Sequence, residues 1–154
     1  MKKKMKKFMV FLIAVLLIWF ASHFFSSPLA EKGEISLENF VFCKIQTTEV
    51  IDQTGYVYGA DIREIEPVEK LAEDIEGLKI RKILPWEKIH EEWAYPYQIW
   101  MQFDSEEVGR CEIIDFWKNG EIVFRGESYM IAEGSKTQMT DRLEQLIENY
   151  ETEE

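Results

Sequence analysis

Two thiols, one histidine outside the N-terminal stretch and a cluster of aromatic rings are the side chains from which chemistry could be assembled in this chain of 154 residues. Cys43 and Cys111 are each predicted on the apolar face of a strand. In an oxidising compartment they form a candidate disulfide, and the competing reading is a pair of buried core thiols. A bridge would join the first strand of the domain to a late hairpin, worth about 3 to 4 kcal/mol in the chain-entropy model. His90 stands among Glu87, Glu91 and Glu92, with no motif around any serine. A lone imidazole supports neither a zinc site nor a histidine-assisted nucleophile. Glycine-rich phosphate loops, HExxH, CxxC and the calcium-loop spacing are all absent from the sequence. No catalytic, cofactor-binding or metal-ligating residue is therefore assigned.

Carboxylates are plentiful, 29 in all. A glycosidase-like acid pair requires a defined separation and one raised pKa, and a count supplies neither. Clusters such as Glu73, Asp74, Glu76 and Asp104, Glu106, Glu107 read first as solvated surface, with weak divalent-cation binding as the alternative. More suggestive is the segment from Pro85 to Trp100, where Trp86, Trp93, Tyr95, Tyr97 and Trp100 crowd together. Large rings with polar tips favour interfaces, so Trp86, Trp93, Tyr95 and Trp100 are the candidate interaction aromatics. The plainer reading is that such rings complete the core beneath an irregular connection. Trp100 alternates with Ile99 and Met101 and shares its face with Gln98 and Gln102, the pattern of a ring displayed on a polar sheet surface.

The elements that would position these residues follow a leader. Five lysines precede an unbroken apolar run from Phe8 to Ala21, followed by Ser22, His23, Phe24 and Phe25. A run apolar on every face with basic residues at one end predicts a membrane-targeting segment. The run suits a signal peptide, whereas the longer stretch to Phe25 suits a short membrane span. Pro28, Phe25 or Phe20 falls where a signal peptidase needs a small side chain, which favours a retained anchor over cleavage and secretion. The lysines would stay in the cytoplasm, leaving the chain beyond about residue 27 outside. From Glu31 onward 13 basic residues face 29 acidic ones, a net charge of −16, which argues against nucleic acid as a partner.

The whole chain is 46% apolar and 14% aromatic, enough for a packed core. The organisation expected is a transmembrane anchor or signal segment at 1–27, a linker at 28–39, an extracytoplasmic α+β domain at 40–150 and an acidic tail at 151–154. Within the domain, strands are predicted from Phe40 to Gln46 and from Tyr56 to Ala60, around a turn at Asp52 to Gly55. A helix runs from Glu66 and Pro67 to Gly77, burying Val68, Leu71, Ala72, Ile75 and Leu78. Tyr97 to Asp104 alternates as a half-buried strand. Arg110 to Trp117 and Glu121 to Gly126 form a hairpin about Asn119 and Gly120, with Trp117 opposite Ile122 and Ile114 opposite Arg125. A short strand at Tyr129 to Ala132 precedes a closing helix that starts in a Ser135/Gln138 capping box and buries Met139, Leu143, Leu146, Ile147 and Tyr150. The fold class expected is α+β: an N-terminal membrane helix, then a curved antiparallel β-sheet with two helices packed on one side.

From Val50 to Tyr150 this order resembles an uncharacterised domain of small exported or membrane-anchored proteins of Gram-positive bacteria. The strand leading to Asp61, the helix through Val68, Leu71 and Ile75, the Tyr97 to Phe103 strand and the Lys118-Asn119-Gly120 turn carry the resemblance. It implies no activity and transfers no site residue, and the lipid-carrying cysteine of many such proteins is missing here. The function expected is a membrane-anchored extracytoplasmic binding or accessory module at the bacterial cell envelope, held in the membrane by its N-terminal helix and engaging a protein or peptide partner. The alternatives are a small envelope hydrolase using a carboxylate pair, and an inhibitor or immunity-type protein.

Overall fold

Alternation along the strands divides the sheet into a buried face and a displayed one. The computed structural model describes residues 2–84, 87, 95–104, 109–132 and 135–151, with the backbone alone for 2–5 and 21–24. Helix α1 (Lys2–Phe24) leads into strand β1 (Ser27–Pro28) and a short 3-10 turn (Leu29–Lys32). Then come β2 (Phe40–Ile51), β3 (Thr54–Ile62), α2 (Ile65–Gly77), β4 (Lys79–Lys82), β5 (Tyr97–Phe103), β6 (Arg110–Phe116), β7 (Glu121–Phe124), β8 (Glu127–Ile131) and α3 (Lys136–Tyr150). The strands form one antiparallel sheet in the order β1-β4-β8-β7-β6-β5-β2-β3.

Cys43 and Ile45 on β2, Ala60 and Ile62 on β3, Ile99 and Met101 on β5, and Ile114 and Phe116 on β6 turn to the same side and are buried. Against them pack the apolar stripes of α2 (Val68, Leu71, Ala72, Ile75) and α3 (Met139, Leu143, Leu146, Ile147). Each of the Val, Leu, Ile, Met and Phe side chains among these contributes about 1.5 to 3 kcal/mol when fully removed from water. The helical spacing of α2 and α3 thus matches the side chains that are buried. Lys70 pairs with Glu66 one turn earlier at 2.8 Å on the solvent side of α2. Ser135 stands at the N-cap of α3 but makes no side-chain cap bond, so the expected capping box does not form.

The expected membrane helix is corrected. Among the described residues no helix is long and apolar enough to cross a membrane. The apolar run from Phe8 to Ala21 rises only about 21 Å, against a hydrocarbon core of about 30 Å. Lysines stand before it, and Ser22 and His23 follow it. The side chains of α1 from Lys6 to Phe20 are exposed.

The segment expected as a linker is folded into the domain. Ser27 and Pro28 pair with Ile80 and Lys79 on β4. The Leu29 amide bonds to the Leu78 carbonyl at 2.9 Å, and the Leu29 side chain is 1% exposed. Ile35 is buried, its amide bonded to the Glu76 carboxylate, and Leu37 packs on the core.

Both hairpins differ in detail from expectation. β2 and β3 are longer than the sequence suggests and meet through two residues, Asp52 and Gln53, with φ of 50° and 65°. This is the left-handed geometry of a tight hairpin turn, adopted here without glycine. In the β6–β7 hairpin, Phe116 faces Ile122 and Ile114 faces Phe124, one residue off the expected register. Trp117 bonds Glu121 across the loop and Gly120 takes a φ of 95°, a three-residue loop closed by a glycine bulge. The slip turns Ile114 and Phe116 into the core and Cys111 and Ile113 out of it.

Candidate interaction face

The side of the sheet opposite α2 and α3 is assembled from the alternate residues of the same strands. On β5 these are Gln98, Trp100 and Gln102. Trp100 has Lys44 beside it on β2 and Ile113 on β6, and Asp61 on β3 completes that row. The next row holds Gln46, Gln98 and Asp115, with the Gln46 amide donating to Gln98 Oε1 at 3.1 Å. A third row holds Phe42, Gln102 and Cys111. Trp100 is 39% exposed and Ile113 is 47% exposed, so an indole and a branched aliphatic side chain sit side by side in contact with water. Asp115 Oδ1 is buried on this face and has no hydrogen-bond partner among the described residues.

Tyr95 reaches the same face at the end of β5. It is half exposed and, with Pro96, Gln46, Thr48 and Gln98, lines a small cavity of about 120 Å³. Of the four candidate aromatics, Tyr95 and Trp100 therefore lie on one surface, where Gln98 lines the Tyr95 cavity and shares its face of β5 with Trp100. Trp86 and Trp93 lie outside the described residues, as does His90. The beginning of that segment is held by an ion pair in which both guanidinium nitrogens of Arg81 bond the Glu87 carboxylate, which also accepts the Leu84 amide at 2.7 Å.

The candidate disulfide is not formed. Both cysteines are free, Cys43 buried and Cys111 exposed. Cys43 turns into the helix-covered core and Cys111 onto the open face, so their Cβ vectors point to opposite sides of the sheet. Burial, reinforced by the nearby Asp61 carboxylate, pushes the Cys43 thiol up to about 12, where it is inert as a nucleophile.

Glu73 and Asp74 line a cavity of about 220 Å³ between α2 and α3, where Arg142 Nε stands 3.5 Å from Asp74 Oδ2. Among the described residues no group of three or more His, Cys, Asp or Glu could hold a metal ion.

A polar cluster that the sequence does not announce sits on the covered face. The Tyr97 hydroxyl donates to Glu144 Oε1 at 2.7 Å, and Lys118 Nζ reaches the same oxygen at 3.2 Å. Lys118 also lies over the Tyr97 ring, 5.6 Å from its centroid. Burial first, then the bond to Glu144, raises the Tyr97 phenol above its ordinary range. The Tyr97 bond, ahead of Lys118, holds the Glu144 carboxyl below its own. The cluster ties α3 to β5 and to the β6–β7 loop. It joins residues far apart in sequence, so only the helix and hairpin assignments together could have hinted at it.

No family model matches this chain, and neither does any curated protein or solved structure.

Proposed function

We propose that this protein is a non-catalytic binding module that presents the open face of its sheet to a protein or peptide partner, as an accessory component of a larger assembly. The observation that carries this reading is the placement of Trp100. A tryptophan on a two-sided sheet has a core face available to it, yet this one stands in water beside Ile113, framed by the amides of Gln46, Gln98 and Gln102. Such an arrangement suits an interface: an aromatic anchor at the centre, groups able to donate and accept around it, and a rigid strand beneath. The hydrolase alternative draws no comparable support, because in the cavity between α2 and α3 the Asp74 carboxylate is engaged as the ion-pair partner of the Arg142 guanidinium.

Trp100→Ala combined with Ile113→Ser tests the reading. Both side chains lie outside the core, so the melting temperature and circular dichroism should hold. Photo-crosslinking in cells from a reactive group at position 102 should capture a defined partner with the wild type, and the double variant should bind it at least tenfold more weakly, as an anchor residue at the centre of an interface does. Equal capture by the folded double variant would defeat the proposal.

A further inference from the structure

Strand β3 ends the sheet, and its outer edge is open. Among the described residues β3 pairs on one side with β2, while the other side holds a single bridge, from Ala60 to Glu151. The two-residue turn makes Ile51 and Thr54 the last hydrogen-bonded pair of the hairpin. Tyr56 and Tyr58 then spend their backbone groups on β2. Gly55, Val57 and Gly59 direct their N–H and C=O groups outward.

Protein edges of this kind are normally blunted by lysine, proline or a bulge. β3 contains no lysine and no proline, and its nine pairs with β2 run without a break in register. Val57 is 69% exposed at the centre of this edge. The hairpin also outruns the body of the sheet, because the pairing of β2 with β5 stops at Gln46.

The order of residues along the edge identifies what covers it. Gly55-Tyr56-Val57-Tyr58-Gly59 reads the same in both directions. An antiparallel pair of identical strands centred on Val57 places Val57 opposite Val57, each Gly55 opposite Gly59, and each Tyr56 opposite Tyr58. Isologous contacts demand this self-complementarity. Cross-strand tyrosine pairs are favourable, and the glycines leave the flanks of the valine pair uncrowded. The nearest charge, Asp61, falls opposite Gln53, so no like charges meet along the strand.

We propose that β3 is a homodimerisation edge: a second copy of this chain adds its own β3 antiparallel about Val57, joining two eight-stranded sheets into one. The Glu151 bridge beside Ala60 takes up the outward carbonyl of Gly59 and confines the shared hydrogen bonding to Gly55, Val57 and the Gly59 amide, so the dimer is weak and concentration-dependent. The Val57 side chain stands on the same side of the sheet as Trp100, but the contact is made by backbone at the edge and centred beyond the rows that β2 shares with β5, so either proposal can fail without the other.

The test uses the full chain in a nonionic detergent, which solvates α1 equally in every variant. Light scattering at about 0.1 mM, above the Kd of most weak specific interfaces, should give a dimer for the wild type. Val57→Pro removes an outward amide that β2 does not use and should give a monomer with unchanged circular dichroism. In a Cys111→Ser background, Val57→Cys should oxidise to a covalent dimer at least tenfold faster than Ile113→Cys does. A monomeric wild type, including one that instead captures an extended peptide at this edge, would overturn the proposal. So would a dimer indifferent to the proline, or equal crosslinking from the two positions.

Discussion

Tyr97 shows how one residue can serve both core and polar framework. Its ring is buried against Phe116 while its hydroxyl holds Glu144. Removing only the hydroxyl, Tyr97→Phe, should lower stability in urea by about 1 kcal/mol, the net value of one such bond. The bond also sets a pH dependence. The folded Glu144 carboxyl lies below its ordinary value, so its stabilising contribution is present above the unfolded glutamate range and is lost as pH falls through the folded value. Glu144→Gln should therefore flatten the decline in urea midpoint between neutral pH and pH values below about 4, modestly because the side chain is partly solvated. At this scale the sequence was informative about Trp100, whose exposure follows from strict alternation in β5. It was misleading about Cys111. Both cysteines lie in apolar strand patterns, but two thiols bridge only from the same side of a sheet, and the side Cys111 takes depends on the register of a neighbouring hairpin.

That register is a lesson about elements. Asn119-Gly120 marks the β6–β7 turn correctly, yet the same dipeptide serves a two-residue loop or a three-residue loop ending in a glycine bulge. The structure takes the second, because it brings Ile114 and Phe116 inward beside Ile122 and Phe124. Burial of four large side chains outweighs the preference of a turn. The β2–β3 turn falls within the expected Asp52 to Gly55 but is shorter: Asp52 and Gln53 take the left-handed positions themselves, and Thr54 and Gly55 already pair with β2. Left-handed backbone costs an ordinary L-residue about 1 to 2 kcal/mol, and less where the side chain is Asn or Asp. Asp52→Asn with Gln53→Gly should accordingly raise stability by about 1 to 2 kcal/mol, read as an upward shift in urea midpoint with an unchanged slope. The apolar stripe of α2 was legible, since it matches the buried residues one for one except Leu78, which caps the helix and is buried as well; the helix starts at Ile65, before the expected entry at Glu66 and Pro67, and ends at Gly77 as expected.

For the whole molecule, the α+β architecture with α2 and α3 on one side was readable from the sequence, and the boundary of the folded unit was not. The stretch from Ser26 to Asn39 lacks periodicity because it contributes isolated anchors, Leu29 and Ile35, and not a repeating face. Leu29→Ala should cost about 2 to 4 kcal/mol in thermal or urea unfolding, as for any large buried aliphatic side chain, whereas a passive linker would tolerate it. The same stretch decides how the sheet ends. On the β4 side the terminal strand is Ser27–Pro28, two residues long and capped by the turn that follows, a poor template for further pairing. Among the described residues the longer run of unpaired edge lies on the β3 side. A particle with one sticky margin and one blunt one can couple to its twin and then has nothing left to offer a third, so growth stops at a pair and never runs on into a fibre.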